Sequence, residues 1–370
     1  MSNNTYAIYE SDTKECGVYN VMASFMSGLL NGFKEANLKV YDYSQAKKNN
    51  INIDIALGFN LAGFNHWGDV IGANKINVIW SIDSIFAQNA ELFRKCNDIS
   101  NVIVFGVAPA DYEAKKQYLP NLKYMYMPHA TDKDLWKKEE LNKEHDIVFL
   151  SSLYGFESKL EPLKSDKVLY SLVNEFVDII EKKPTLSFWD VYSIANESAQ
   201  LNLSIDDYTK MFYIVTSVVE ERQKIKMIDS ISNMNVKVFG SELWKKYIKG
   251  NVKYMGKADI NESIKIINQS KIALHCQAPQ YNYGLHERFL NASSVGTFNL
   301  VSDTPSIKDE FQDNFGYFNH ADFSDIEQKA IYYLQNEDER EQKALEAMKI
   351  THSKHLWKNR AEAIDELFTV

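Results

Sequence analysis

The stretch Tyr281-Asn-Tyr-Gly-Leu-His-Glu-Arg-Phe-Leu-Asn-Ala-Ser-Ser-Val-Gly-Thr-Phe-Asn-Leu-Val-Ser-Asp303 predicts a glycine loop, a short helix, a glycine turn and a buried strand in one run. Gly284 lets the backbone approach a ligand closely. A helix that begins near His286 offers unpaired N–H groups and a positive dipole end to an anion. Arg288 and Asn291 follow on roughly one face of this helix, so a guanidinium and a carboxamide could line one pocket. Together these features predict a phosphate site.

Short apolar runs alternate with helical patterns along the chain, which is typical of parallel, doubly wound sheets. The predicted strands of the first half are Thr5–Tyr9, Lys39–Tyr43, Ile53–Gly58, Ile76–Ile82, Asn101–Phe105 and Lys123–Met127. Those of the second half are Asp146–Leu150, Val236–Phe239, Val252–Gly256, Lys271–His275 and Thr297–Val301. Ligands collect at the carboxyl ends of the strands in such sheets, so the loops that follow strands carry the most weight.

A linker separates the two series of predicted strands. It consists of Pro128-His129-Ala130-Thr131-Asp132 and the charged segment Lys133–Glu144. We therefore predict an α/β chain with a first Rossmann-like domain over residues 1–140, a second over residues 141–350 and a C-terminal segment over residues 351–370.

Two further helical segments are predicted in the second half. Residues 156–219 are almost entirely helical in pattern and form an insert in the second domain, interrupted at Pro184. This insert could shape an acceptor site, mediate the formation of a homo-oligomer or only enlarge the domain. The segment from Thr351 to Ile364 predicts a single C-terminal helix.

Composition excludes several classes of protein. With 370 residues, of which 45% are hydrophobic, the chain can bury two ordinary cores. The net charge of −9 argues against a general nucleic-acid surface, because binding to phosphates needs clustered Lys and Arg. The three cysteines are far apart and without a CxxC pair, so we expect neither a disulfide framework nor a zinc site. Without a predicted signal peptide or membrane span, we expect a cytoplasmic protein.

The run from His286 to Asp303 resembles the signature of group 1 glycosyltransferases of the GT-B fold, particularly the CgeB-like branch related to spore-maturation proteins. This resemblance implies two Rossmann-like domains that face a cleft, with a nucleotide diphosphate-sugar donor held by the second domain. In the family pattern an arginine contacts the donor diphosphate, and Arg288 matches it. A glutamate five residues before the glycine holds the ribose, and Asn291 stands in its place without the charge.

The resemblance implies further donor-binding residues. Arg222 matches a second arginine that reaches the donor phosphates, although an exposed helix arginine is the alternative. Gly155 lies at the position of the family's glycine turn. The remaining donor-side candidates are the turn residues Gly240, Ser241 and Gly256, together with Gly284, His286 and Glu287, where Glu287 could instead cap or pair.

Two features near the domain boundary invite other interpretations. His129 lies where the domains meet, and similar Pro-His-Ala segments occur there in CgeB-like sequences, although a hydrogen-bonded linker histidine is the alternative. Asp132-Lys-Asp134 formally matches the metal-binding DxD signature of the other large glycosyltransferase fold. It follows a proline-containing linker and runs into Leu-Trp-Lys-Lys, so we do not interpret it as a metal site. We expect no metal or other cofactor.

The predicted function is a glycosyltransferase of the hexosyltransferase type that delivers a sugar to a hydroxyl group of a glycan, protein or cell-surface polysaccharide. Arg222, Arg288 and the helix N-terminus at His286 could stabilise the leaving diphosphate without a metal. A sugar-nucleotide epimerase or phosphorylase-like enzyme of the same fold is one alternative, and an inactive nucleotide-binding or scaffold module is another. Phage DNA glucosyltransferases share the layout, but the acidic balance argues against nucleic acid as the acceptor.

An inverting transfer also needs a base. Asp83 ends the apolar run that begins at Val78, at the edge where the first sheet should face the donor. Asp12 is the rival candidate, and His66 and His129 are weaker ones. Alternatively, Asp83 could cap a helix over Ser84–Lys95.

Overall fold

The computed structural model describes residues 3–9, 21–59, 74–87, 90–281 and 283–369. The first half forms a six-stranded parallel sheet in the order β2-β1-β3-β4-β5-β6. Its strands are β1 (Thr5–Ile8), β2 (Lys39–Asp42), β3 (Ile55–Phe59), β4 (Ile76–Ser81), β5 (Val102–Gly106) and β6 (Lys123–Tyr126). Each predicted strand is present here, with ends shifted by one or two residues. Asp12 and His66 lie outside the described residues.

The second half forms another six-stranded parallel sheet, in the order β12-β11-β10-β7-β8-β9. Its strands are β7 (His145–Leu150), β8 (Val236–Phe239), β9 (Lys253–Gly256), β10 (Ser270–His275), β11 (Phe298–Ser302) and β12 (Gly316–Phe318). The strand order reverses between β7 and β10, and a doubly wound sheet binds ligands at such a switch point.

Helices cover both sheets. In the first half they are α1 (Val21–Glu35), α2 (Tyr43–Lys48), α3 (Ala90–Cys96) and α4 (Asp111–Tyr118). In the second half they are α5 (Lys167–Lys182), α6 (Phe188–Ala199), α7 (Ile205–Ser230), α8 (Ile260–Asn268), α9 (Glu287–Ser294), α10 (Pro305–Phe311), α11 (Ile326–Gln335), α12 (Glu337–Lys354) and α13 (Trp357–Phe368). None of these described helices combines the length and apolarity that a membrane span requires.

The insert packs on the first sheet, although it belongs to the second half in sequence. A 3-10 helix at Phe156–Ser165 and helices α5 to α7 form it. One hydrophobic core contains Ile79 and Phe86 of the first half together with Phe176 and Tyr208 of the insert. The rings of Phe86 and Tyr208 lie 5.1 Å apart. The insert therefore buries an apolar face against the first half of the chain.

The single helix predicted from Thr351 to Ile364 is broken at His355 and Leu356. Leu356 forms a parallel bridge with Thr131 of the interdomain linker. The N–H of Thr131 donates to His355 O at 2.9 Å, and the N–H of Trp357 donates to Thr131 O at 3.3 Å. These interdomain bonds replace the helical bonds at this point, which a periodic sequence pattern cannot reveal.

Helix α13 packs against α1 on the other face of the first sheet. The indole ring of Trp357 lies 5.3 Å from Phe25, 5.9 Å from Phe59 and 5.7 Å from Trp80. A Cβ atom on Gly28 would collide with this indole, so the small residue allows the close approach. The strand residues Trp80 and Ile79 point to opposite faces, so elements of the second half cover both faces of the first sheet.

Arg360 of α13 holds the interdomain linker in place. Its guanidinium donates to Pro128 O at 2.9 Å and to His129 O at 2.8 Å. It also contacts His355 Nδ1 at 3.0 Å. Because buried carbonyl groups need hydrogen-bond partners, this arginine stabilises the segment that carries His129 to the cleft.

Candidate active site

Two adjoining cavities open at the carboxyl ends of the strands. The first, which we call the sheet cavity, has a volume of about 490 Å³, and Leu150, Gly240 and His275 are among the residues that line it. The second, the cleft cavity, has a volume of about 350 Å³ and lies between the domains, with Asp83 and His129 on its wall. Both volumes are within the usual range for small-molecule sites. Tyr154, Glu287 and Arg288 line both cavities and form their common border.

Helix α9 brings its N-terminus to this border. The helix begins at Glu287, and His286 is its N-cap, as the sequence predicted for a helix starting near that residue. The Nδ1 atom of His286 accepts the N–H of Arg288 at 3.2 Å. The cap therefore satisfies one of the orphan donors at the helix start, and the dipole still favours an anion nearby.

Arg288 is the cation that lies between the two cavities. Its Nη1 atom donates to Ser151 Oγ at 3.3 Å, which ties α9 to the loop after β7. Burial alone would lower the pKa of Arg288, but Glu287 and Glu220 raise it above its ordinary value. The guanidinium is therefore charged and is placed to bind an anion that spans the border.

Asn291 lies one turn further along α9 and lines the sheet cavity. Its Oδ1 atom accepts the hydroxyl of Thr131 at 2.7 Å. The carboxamide oxygen is thus used by the interdomain linker, and the amide N–H groups are what this side chain can offer a ligand. A carboxylate at this position could accept from ligand hydroxyl groups in a way that Asn291 cannot.

The glycine turns contribute unequally to the sheet cavity. Gly240 lines it, with φ +156°, and a Cβ atom there would collide with Ser151 O. Gly155, with φ +75°, and Tyr154 both donate their N–H groups to Glu221 Oε1, at 2.8 and 2.7 Å. The carboxylate of Glu221 therefore holds the backbone donors that the glycine turn would present to a phosphate.

Two turn residues play a supporting part next to Gly240. The hydroxyl of Ser241 donates to Leu153 O at 2.6 Å and accepts the N–H of Leu153 at 3.0 Å. Gly256 closes β9 with φ +103°, and its successors Lys257 and Ala258 line the sheet cavity. The bonds of Ser241 hold the loops after β7 and β8 together at one edge of the sheet.

Gly284 lies away from the sheet cavity. A Cβ atom on this glycine would collide with the carbonyl oxygen of Val107 in the first domain. The carbonyl oxygen of Gly284 accepts from Gln277 Nε2 at 3.0 Å. The residue must be small because the two domains touch there, which differs from the ligand approach that the sequence suggested.

Arg222 also lies away from both cavities. Its guanidinium binds Glu157 of the insert through Nε at 3.0 Å and Nη2 at 2.7 Å. Helix α7 continues from the insert through position 222, so this side chain faces acidic residues of the insert. Lys224, two residues on, faces another side of the helix and is buried. Its Nζ atom lies 2.6 Å from Glu220 and 3.4 Å from Ser152 O.

Asp83 lies on the first-domain wall of the cleft cavity. Its Oδ1 atom lies 2.5 Å from the hydroxyl of Tyr281 and 3.3 Å from Gln280 Nε2. Burial and Asp83 itself raise the pKa of Tyr281 well above its ordinary value, so the phenol keeps its proton and donates it. The next described helix begins only at Ala90, so Asp83 does not cap a helix at Ser84.

A buried group of titratable side chains lies between Asp83 and Arg288. His129 Nε2 donates to Ile82 O at 3.0 Å, and His129 Nδ1 lies 3.2 Å from Glu287 Oε2. His286 Nδ1 lies 2.7 Å from the same carboxylate oxygen. Burial alone would raise the pKa of Glu287, but His286 and His129 lower it well below its usual range. Within the described ranges, these three side chains are close enough to bind one metal ion.

Several residues of the two cavities had no signal in the sequence beyond their place after a strand. His275 ends β10 and lines the sheet cavity, and Tyr281 and Gln280 reach Asp83 from the second domain. Burial lowers the pKa of His275 to about 3, and Arg288 acts in the same direction. The rule that ligands bind at strand ends could have found His275.

The comparisons with known proteins agree with this architecture. Residues 222–366 match the family model described as glycosyl transferase-like. Sucrose-phosphate synthase from Thermosynechococcus elongatus superposes with a TM-score of 0.60 at 9% identity, covering 99% of this chain and 98% of that chain. A search of curated proteins finds no match.

Two further solved structures have the same overall arrangement. Anabaena HepE in complex with UDP and glucose has a TM-score of 0.56 at 9% identity and covers 99% of both chains. Phage T4 β-glucosyltransferase has a TM-score of 0.55 at 14% identity and covers 99% of this chain and 98% of that chain. The fold is GT-B. The predicted fold class is therefore confirmed, and the family match confirms the predicted enzyme class, glycosyltransferase.

Replacing Arg288 by Ala should weaken binding of UDP by about 1.5–3 kcal/mol, because a hydrogen bond to a charged group is lost at the border of the cavities. Titration calorimetry on the folded variant measures this change. Arg222→Ala is the matched control, since Arg222 binds Glu157 away from both cavities and should leave the affinity unchanged. Equal UDP affinities in the wild type and Arg288→Ala would show that Arg288 has a structural role only.

The depressed pKa of His275 predicts a loss of stability in acid. The unfolded state takes up a proton near pH 6.5, whereas the folded state stays neutral down to about pH 3, so stability is lost as the pH falls below 6.5. Between about pH 7.5 and about pH 5, urea titrations should show that the wild type loses about 2 kcal/mol more than His275→Gln.

The control for this experiment is Ser263→Ala, which changes another residue of the sheet cavity without removing a titratable group. This variant should keep the pH dependence of the wild type. If His275→Gln also kept it, the folded state would have to bind a proton at His275 as readily as the unfolded chain.

Proposed function

We propose that the protein transfers a sugar from a nucleotide diphosphate-sugar to a hydroxyl group of an acceptor. The observation that carries this proposal is the position of Arg288 on the common border of the two cavities. A nucleotide in the sheet cavity would place its diphosphate at this border and its sugar in the cleft cavity. The UDP and glucose in the complex of the similar HepE structure support a donor of this class.

The leaving diphosphate would be stabilised by charges that are already in place. Arg288 supplies a guanidinium, and the start of α9 supplies a positive dipole end. Lys224 adds a buried ammonium group behind the loop after β7, through its contact with Ser152 O. Fixed charges of this kind act on the transition state without the cost of reorganisation. Arg222, which binds Glu157 away from both cavities, takes no part in this proposal.

Asp83 is the proposed base for the acceptor hydroxyl. It faces the cleft cavity from the first domain, across from Glu287 and Arg288 of the second. Tyr281 and Gln280 donate to its Oδ1 atom, which orients the carboxylate on the wall of the cleft cavity. Asp83 and Tyr281 belong to different domains, so the base is oriented only when the domains are together.

Replacing Asp83 by Asn tests this role. Asparagine keeps an oxygen that can accept from Tyr281, so the fold and UDP affinity should stay close to those of the wild type. The kcat for sugar transfer should fall by about 10²–10⁴, the range for loss of a general base. Transfer from UDP-glucose to a hydroxyl acceptor is measured by release of UDP. A near-normal kcat would exclude Asp83 and turn attention to Asp12.

The proposed reaction needs no metal ion. Asp132 accepts the N–H groups of Asp134 and Leu135 at 2.9 and 3.2 Å, so the first acid of the DxD sequence forms a local turn. In the group formed by His129, His286 and Glu287, the Nδ1 atom of His286 already lies 2.7 Å from Glu287 Oε2, and the nearby charge of Arg288 opposes a divalent cation.

We expect sugar transfer to survive EDTA for this reason. UDP release is measured before and after chelation, and again after Mg²⁺ or Mn²⁺ is added back. Loss of turnover that either metal restores would contradict the proposal. The variant His129→Gln would then show whether the histidine group or Asp132 holds the ion.

The placement of the chain in the CgeB-like branch forms part of the proposal. The run around Arg288 and the Pro-His-Ala segment at His129 support it. The proposed acceptor carries a hydroxyl group, and the acids around the cleft cavity argue against a polyanion such as nucleic acid, despite the similarity to a phage DNA-modifying glucosyltransferase.

A further inference from the structure

Three aromatic side chains form an open wall of the cleft cavity. This aromatic rim consists of Tyr154, Phe156 and Tyr213. The ring centres of Tyr154 and Phe156 lie 5.4 Å apart, and those of Phe156 and Tyr213 lie 6.2 Å apart. Tyr154 is 69% exposed and Tyr213 is 37% exposed. Contiguous exposed aromatic surface at the edge of a cavity marks a ligand-binding surface, unlike a single exposed apolar residue.

Lys159, which does not line the cleft cavity, holds the aromatic rim in place. Lys159 Nζ lies 4.3 Å from the centre of the Tyr213 ring and 5.4 Å from that of Phe156. It also donates to the hydroxyl of Tyr213 at 3.3 Å. The cation therefore restrains two of the three rings, so the surface exists before any ligand binds.

Hydrogen-bonding groups line the rest of the cleft cavity. Thr216, Ser217 and Glu220 lie on α7, and Asp83 lies on the opposite wall. Burial alone would raise the pKa of Glu220, but Lys224 lowers it below its usual range, so the group is a carboxylate. Carboxylates accept hydrogen bonds from hydroxyl groups and repel anions. The polar side of the cavity thus suits a ligand that is rich in hydroxyl groups and carries no negative charge.

Neutral saccharides combine both properties. The C–H face of a sugar ring packs on an aromatic ring, whose faces carry negative charge density, and its hydroxyl groups donate to carboxylates. Arg288 also lines the cavity, but the donor diphosphate takes it in the proposed function. The phosphates of a nucleic acid or the carboxylates of an acidic glycan would then meet Asp83, Glu220 and Glu287. The charge of the cavity therefore favours a neutral saccharide among the hydroxyl acceptors.

The insert supplies most of this surface and also fixes its distance from Asp83. Phe156 and Tyr213 belong to it, and α7 continues from it to Glu220. Phe86 lies three residues after Asp83 in the same turn, and it packs on Tyr208 of α7. Arg94 of α3 binds Asp206 at 2.6 Å. The rim and the proposed base are thereby attached to one packed unit.

We propose that the insert builds an acceptor subsite for a neutral saccharide, which stacks on Tyr213 and presents a hydroxyl group to Asp83. This inference rests on the proposed function and adds the class of acceptor and the role of the insert. In the reaction the hydroxyl oxygen forms a bond to the anomeric carbon, the bond to the diphosphate breaks, and the hydroxyl proton passes to Asp83. Atoms and charge balance without another reactant.

The test compares several acceptors and several protein variants with a single donor. UDP-glucose, or whichever UDP-hexose supports UDP release by the wild type, is offered with neutral disaccharides, heparin and duplex DNA, and labelled products are separated. We expect transfer to at least one neutral disaccharide and none to heparin or DNA. Tyr213→Ala should raise the acceptor KM at least tenfold, while its UDP affinity in calorimetry matches the wild type.

Two matched variants separate ring stacking from damage to the fold. Tyr213→Phe keeps the ring and should keep the acceptor KM within about threefold of the wild type. Ile194→Ala removes an exposed apolar side chain of the same insert that lines neither cavity, and it should behave as the wild type. An unchanged acceptor KM in Tyr213→Ala would overturn the inference, as would transfer only to DNA, heparin or protein.

Different experimental results would contradict the inference and the proposed function. A wild type that binds UDP and transfers hexose, but does so regardless of Tyr213, contradicts the saccharide subsite alone. A wild type that neither binds UDP nor releases it from any UDP-hexose contradicts the proposed function, and the subsite with it. Saturation-transfer NMR with the neutral disaccharides and UDP then shows whether the aromatic rim binds sugar independently of turnover.

Discussion

The candidate site depends on a group of charged and titratable side chains gathered where α9 begins. Arg288, Glu287 and His286 meet His129 of the linker, and the side chain of Glu287 is only 12% exposed. Removing charges from water costs several kcal/mol per ion, and their mutual attraction offsets this only when the geometry and hydrogen bonds are good. Such a group therefore contributes little to the free energy of unfolding. Its position on the border of two cavities is the one that the proposed binding of a diphosphate requires.

That charged group can form only if both domains contribute to it. His129 reaches it because Arg360 of the last helix binds the carbonyl groups of the linker. Thr131, two residues later, binds both Asn291 and the break between α12 and α13. The C-terminal segment therefore helps to hold the candidate site in place, although it is far in sequence from most of the residues that line the cavities. Changes in α13 would act on the site through the linker.

The insert has a comparable effect on the first domain. One face of the first sheet packs against α5 to α7, which belong to the second half of the chain in sequence. The other face packs against α13 as well as α1. Movement of one domain against the other would have to shift these cores, so the cleft is largely preorganised. Preorganisation suits a reaction that depends on fixed charges and an oriented base.

The sequence by itself determined the two series of strands, the helix that starts at Glu287 and the placement of Arg288 in its first turn. These features depend on local periodicity, capping and glycine placement, which act over a few neighbouring residues. The tertiary structure alone decided that Arg222 binds Glu157, that Gly284 touches Val107, and that Tyr281 orients Asp83. In each of these pairs the partners lie tens of residues or more apart, so no local pattern could reveal them. Which side chain faces a ligand and which faces another domain is set by how the elements pack, because the two roles demand the same residue types.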